Sequence, residues 1–295
     1  MFKREKTSAW GDCKRNSTFW EVIRRFRKNK AAMFGFSIFV AICLIAVFAD
    51  IITPYSNAIQ QVKENRLMAP SINHFFGCDN MGRDMFARVI HGARYSIVFA
   101  VVISLISLAI STVLGGIAGY YGGAIDNLVM RLLDVIMCLP SNLLALCIVA
   151  VFRANIINLL IALTIAQIPA TARVVRSSIL SVASSDYIEA ARCHGARDAR
   201  IIAKYIVPNA IGPIVVNTTV NASRLIISVS SMSFLGLGIQ PPAPEWGNLL
   251  ATAREYMRIA PWLLYFPGFA LVITALSINM IGDGLRDALD PKIRD

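Results

Sequence analysis

Six stretches of this chain are apolar for about as long as a helix needs to cross a bilayer. That recurrence constrains the fold more than any single motif. Roughly 20 apolar residues, rising 1.5 Å each, span about 30 Å of hydrocarbon, where every backbone N–H and C=O must be satisfied within the segment. The runs are residues 31–52, closed by Thr53-Pro54; 95–121, with no charge at all; 127–152, with Arg131 and Asp134 near its start; 154–172; 211–238, interrupted only by Arg224; and 261–282. The pattern predicts an all-α polytopic membrane protein with six transmembrane helices.

Composition agrees with lipid as the solvent. The 295 residues are 56% apolar and 16% charged, with a mean hydropathy of +0.59, whereas soluble domains are nearer 45–50% and about 25%. Disorder and a disulfide-stapled secreted domain are excluded. Cys13, Cys43, Cys78, Cys138, Cys147 and Cys193 form no C-x-x-C and have no His at ligand spacing, so they read as structural or incidental, with no metal and no cofactor. The first apolar run is too long for a signal-peptide core and reads as a retained anchor.

A net charge of +11 suggests nucleic acid in a soluble protein. In a membrane chain it reports orientation instead, and no nucleic-acid partner is expected, only lipid. With the 1–30 tail in the cytoplasm, 20 Lys and Arg fall on that side and eight on the other. This excess places both termini inside. The expected organisation is a cytoplasmic tail (1–30), a transmembrane domain (31–282) and a short cytoplasmic tail (283–295), in a multi-pass protein of the cell (inner, cytoplasmic) membrane. The longest connections, about 42 and 38 residues, are too short for an independent core. An energy source or receptor must therefore be a separate chain.

Two polar segments carry pattern. In 18–30, Phe19, Val22, Ile23 and Phe26 fall at helical spacing among Arg24, Arg25, Arg27 and Lys28, which suits a helix in the membrane interface; a solvated basic tail is the plainer alternative. In 184–209, Ser184 or Ser185 can cap a helix whose first turn holds Asp186 and Glu189. Ala190 and Ala191 give it a small-residue face, and Gly195 suits a left-handed turn. A second helical stretch over 196–206 then runs up to Pro208. Two short helices at an angle can enter a groove on a partner, or can simply lie on the membrane.

The run Glu189-Ala190-Ala191, with Gly195 and then Pro208, resembles the EAA loop of ABC-type importer permeases. Tyr205 and Val207 stand where Ile and Leu are usual, and both keep the apolar character. "FRKNKAAMFG", "FGCDNMGRDMFARVIHGAR" (76–94), "SFLGLGIQPPAPEWG" (233–247) and "GDGLRDALDP" (282–291) resemble the dipeptide/oligopeptide/nickel permease family, in the order of its C-type, second permease subunit. The resemblance implies a type I ABC importer permease fold. It also implies a heterodimer with a homologous permease, two cytoplasmic ABC ATPase subunits, and an extracytoplasmic peptide-binding protein. Glu189, Ala190, Ala191, Gly195 and Pro208 become the ATPase-docking residues, and the substrate a dipeptide or oligopeptide, with nickel or another small solute as the alternative.

The residues themselves support that division of labour. No G-x-x-x-x-G-K-[ST] motif and no Gly-Lys pair occurs, so ATP is expected on partner subunits and no catalytic residue is assigned here. Asn217, Asn221, Arg224, Ser228 and Ser231 recur at spacings of 4, 3, 4 and 3, one polar stripe through the fifth run. Insertion scales place the cost of a mid-helix Arg at about 2.5–3.5 kcal/mol. Such a stripe either lines a water-filled path or bonds to another helix. The family often carries an acid near Ser228, and none stands here. Gly115, Gly119 and Gly123 suggest close helix approach, and Gly82-Arg83-Asp84 reads as structural. Residues 240–246, rich in proline, read as a stiff outer loop. An ion-driven secondary transporter or a membrane-embedded enzyme requires midplane acids or a clustered nucleophile, and neither pattern is visible.

Overall fold

The computed structural model describes residues 18–289, whose regular structure is helical, with one isolated β-bridge between Cys78 and Asp84. The helices are α1 (Thr18–Lys28), α2 (Lys30–Val47), α3 (Ala49–Ile52), α4 (Tyr55–Ile59), α5 (Met85–Tyr121), α6 (Gly123–Met137), α7 (Ser141–Phe152), α8 (Ile156–Ala183), α9 (Asp186–Cys193), α10 (Asp198–Ile201), α11 (Val207–Phe234), α12 (Trp246–Tyr256) and α13 (Trp262–Leu289). The starts of α2 and α5 are capped by side chains of the expected kind. Asn29 accepts from Ala32 N at 3.1 Å, and Asp84 from Ala87 N at 2.8 Å.

Five helices or continuous helical stretches are long and apolar enough to cross a membrane, and the count is six when the α6–α7 pair, bent by 75° at residues 138–140, is taken as one broken span. Pro140 precedes α7 directly and cannot continue a helix. Several helices run past the apolar runs that mark them. The second run belongs to α5, which begins ten residues earlier, at Met85; the fourth belongs to α8, which continues from Ala172 to Ala183. The extension of α8 carries Arg173 and Arg176, which end the apolar run but pair with Asp134 and Asp126 of α6. The guanidinium of Arg176 grips Asp126 through both carboxylate oxygens.

Between lipid-solvated helices the hydrophobic effect gives little, and close van der Waals contact holds the bundle. Accordingly α5 lies along α8 through small residues. A Cβ on Gly115 would sit 2.4 Å from the Ala172 carbonyl oxygen, and one on Gly119 2.9 Å from that of Arg176. Gly123, the third of the series, makes no such approach: it meets nothing within 4 Å and opens α6 at φ +56°. Deeper in the bundle, Ile103, Val149, Leu159, Ala162, Ile226, Val229 and Ile278 join α5, α7, α8, α11 and α13 in one core.

The segment between α3 and α5 folds as a cap on the end of α5. Asp79 is buried and accepts from Met81 N, Arg83 N and Arg83 Nε at 2.7–2.9 Å. Arg88 reaches the same carboxylate at 3.5 Å. His74 Nδ1 lies 2.7 Å from Asp84. The Gly82-Arg83-Asp84 charges are thus closed inside the cap. Burial, with the neighbouring Asp84 and Asp79 carboxylates, pushes the Cys78 thiol up to about 11. Burial and the hydrogen bond to Tyr95 push the Tyr55 hydroxyl up to about 12.

The basic segment forms α1, but its apolar stripe does not all face outward. The helix packs against α13 and α2, with Phe26 edge-on to Phe36 and against Gly284. The tail before residue 18 and the stretch after residue 289, including Pro291, lie outside the described residues.

Candidate functional site

The loop between α8 and α11 is built around one buried anchor. Ile188 of α9 has no exposed surface and packs among Val175, Ile179, Ile201, Ile206 and Ala210. With Ile188 turned inward, the opposite face carries Asp186, Glu189, Ala190 and Cys193, at helical spacing and all exposed, while Ala191 is half-buried. The helix ends in a Schellman arrangement. Ala196 N donates to the Ala191 carbonyl at 3.1 Å, and Gly195 N to that of Arg192 at 2.9 Å. Gly195 sits at φ +75°, a conformation that costs a side-chain-bearing residue energy.

The start of α9 differs from the sequence expectation. Ser185 occupies the N-cap position but makes no cap bond. Its hydroxyl donates backwards to the Val182 carbonyl, so α9 is tied to the end of α8. The second stretch differs too. It begins at Asp198, widens into a π turn over Ile202–Ile206 and runs on as α11, so Pro208 does not interrupt it. A proline inside a helix removes an N–H and crowds the preceding turn; the wider π turn gives room, and Asn209 Nδ2 donates to the Tyr205 carbonyl at 2.6 Å. Glu189, Ala190, Ala191 and Gly195 therefore share one unit, while Pro208 stands apart in the first turn of α11.

Two contacts missing from the sequence reading lock this unit to α5. The Tyr120 hydroxyl donates to Asp198, and the Arg192 guanidinium lies 5.3 Å from the Tyr120 ring centre. The signal available in sequence was a tyrosine pair closing an apolar run, with nothing to name its partners.

The polar stripe lies along the edge of the packed face of α11. Asn221 is buried, Asn217 and Ser228 are half-buried, and Arg224 and Ser231 are exposed. The Ser231 hydroxyl donates to the Ile227 carbonyl of its own helix at 2.7 Å. No carboxylate of the described residues lies within 4.0 Å of Arg224.

A second polar node went unread. Glu245, expected in an outer loop, is fully buried. One carboxylate oxygen accepts from Ser96 of α5 at 3.2 Å and Ser230 of α11 at 3.1 Å, and the other caps α12 through Asn248 N at 3.0 Å. Trp246 beside it is buried and donates to the Val89 carbonyl. Only an acid just ahead of an apolar stretch hinted at this in the sequence. Among the described residues no three His, Cys, Asp or Glu side chains are placed to hold a metal.

An all-helical bundle of membrane-crossing length, with a helix–turn–helix loop projecting between two spans and a polar stripe on the next, defines a polytopic membrane permease. The chain belongs to the family of binding-protein-dependent transport system inner membrane components, whose model matches residues 111–295. The model for the N-terminal transmembrane domain of oligopeptide transport permease C matches residues 17–70. It is 42% identical over 278 residues to the dipeptide transport system permease protein DppC of Alkalihalophilus pseudofirmus, covering 94% of this chain and 91% of that one. It is 45% identical over 276 residues to the glutathione transport system permease protein GsiD of Escherichia coli, covering 94% and 90%. Its fold is that of ABC importer permeases. A chain of the inward-facing MetNI methionine ABC transporter superposes with a TM-score of 0.58 at 20% identity, over 70% of this chain and 98% of that one. A chain of an amino acid ABC transporter gives 0.54 at 16% identity, over 68% and 94%. The protein is thus a permease subunit of an ABC importer, in the peptide/nickel branch, and an inner membrane component.

Proposed function

We propose that this chain is one of two homologous permeases in an importer for dipeptides or other short peptides. It pairs with the second permease, docks two ATPases on its cytoplasmic side and receives peptide from an extracytoplasmic binding protein. Both termini are cytoplasmic. Glu189, Ala190, Ala191 and Gly195 form the docking unit, and Pro208 stands behind it in the first turn of α11, accommodated by the π turn. Asn217, Asn221, Arg224, Ser228 and Ser231 line the path. ATP is bound by the partner subunits, and this chain contributes no catalytic group.

The observation that carries the reading is the outward face of α9. Its small side chain at Ala190 lets another backbone come close, its acids sit at the helix start where the dipole favours them, and its reverse face is pinned by Ile188. A helix held this way transmits a push rather than yielding to it. The peptide assignment is supported by the names of the relatives, which carry dipeptides and glutathione.

The test is co-purification of the tagged chain with its ATPases. Glu189→Arg and Gly195→Pro are expected to abolish the association while leaving the chain in the membrane. Retention of ATPases by both variants sinks the docking assignment. Uptake by this chain alone, without ATP, overturns the whole reading.

A further inference from the structure

Arg224 is the only charged residue of α11 and stands well inside the helix. Two arginines of the neighbouring α8 are closed internally, Arg173 on Asp134 and Arg176 on Asp126. Arg224 is exposed and has no such partner among the described residues. The hydroxyls around it are spent on their own helix. Thr218, Thr219, Ser223 and Ser231 donate to backbone carbonyls at 2.7–2.9 Å. The charged donors near the middle of this helix are those of the Arg224 guanidinium, a planar fork that matches a carboxylate through two parallel bonds.

We infer that Arg224 binds the C-terminal carboxylate of the peptide in transit and makes this permease selective for solutes with a free carboxylate. The inference rests on the stripe lining the path. A peptide at neutral pH always brings that group, whatever its side chains, so one cation reads every member of the class. Ser228 and Ser231 beside it are small enough to leave the fork accessible. A single pair on an open, water-facing edge is also weak enough to release its ligand, as a transit site must.

The complex with both permeases, ATPases and binding protein is reconstituted in liposomes, and ATP-driven uptake of Ala-Ala is compared with that of its C-terminal amide. The same binding protein delivers both, so its own preference cancels when each variant is divided by wild type. Arg224→Gln is expected to lower Ala-Ala uptake about tenfold or more and amide uptake less than twofold, with Arg224→Lys retaining part of the Ala-Ala rate. Equal losses on both peptides overturn the inference, as does failure of Arg224→Gln to assemble, which assigns the cation to an acid of the partner permease.

A second measurement does not depend on amide transport. Arg224→Cys is expected to react with a water-soluble anionic thiol reagent, read by mass at position 224, and excess Ala-Ala is expected to slow that reaction. Absence of labelling, or labelling that Ala-Ala does not slow, overturns the inference. If the wild-type chain fails to assemble with ATPases, the docking assignment has failed instead, which assembly controls reveal directly.

Discussion

The Tyr120 hydroxyl donates a 2.6 Å hydrogen bond to Oδ1 of Asp198, joining the last turn of α5 to the segment after Gly195. Arg192 of α9 covers the face of the same ring. One side chain thus holds both halves of the loop against the end of α5.

Tyr120→Phe keeps the ring and removes only the hydroxyl. A hydrogen bond of this kind contributes about 1 kcal/mol. The variant is expected to assemble normally but to transport several-fold less peptide per ATP hydrolysed. Measuring uptake and hydrolysis together in the reconstituted complex decides it, and an unchanged ratio speaks against the contact having a coupling role.

Glu245 is the node where α5, α11 and α12 meet. Glu245→Leu leaves two buried hydroxyls and one backbone N–H without an acceptor, each worth roughly 1–3 kcal/mol. Glu245→Gln preserves one carbonyl oxygen for the serines and should be milder. The expected order of melting temperatures in the purified complex is wild type, then Gln, then Leu.

Gly115→Ala places a methyl where the Ala172 carbonyl oxygen already stands, 2.4 Å away. Overpacking of this kind costs about 1–3 kcal/mol, because the contact is with backbone that cannot rotate aside. Gly116→Ala, whose nearest neighbour is 3.6 Å away at the tip of Ile179, is the control. A clear melting difference between the two variants is expected, and equal stability argues against tight α5–α8 contact.

Cys78 supplies a pH dependence. Its thiol is pushed up to about 11 in the folded protein, above the ordinary value near 8.5. The unfolded chain therefore loses this proton first, so stability falls as pH rises from about 9 to about 11. Cys78→Ser is expected to flatten that part of the stability curve. At pH 8 Cys78 should stay unmodified by iodoacetamide while exposed Cys193 reacts, as peptide mass mapping will show.

What the sequence reveals here depends on whether a signal is local. Gly195 announces its turn because the left-handed region disfavours any other residue, and Arg224 is conspicuous because its surroundings are apolar. Glu245 is illegible: its donors come from 15 and 149 residues away, and in isolation it looks like one more loop acid. The end of α8 is hidden for the opposite reason. Arg173 and Arg176 look like the point where the helix leaves the membrane, yet carboxylates on α6 neutralise both. Ser185 misleads more subtly, since a hydroxyl ahead of a helix can bond forwards or backwards and only the fold of the preceding turn decides.

The 37 residues of α5 have a mechanical consequence. At 1.5 Å per residue the helix is about 55 Å long, nearly twice the thickness of the hydrocarbon it crosses. Its first turns are clamped by the cap that holds Asp79, and its penultimate residue, Tyr120, by the loop that carries α9. A rod fixed at both ends cannot rock at one without displacing the other. A tilt of only 10° about its middle carries each tip about 5 Å in opposite directions. The two sides of the membrane are in that sense one lever, and the chain has no need of a relay between them.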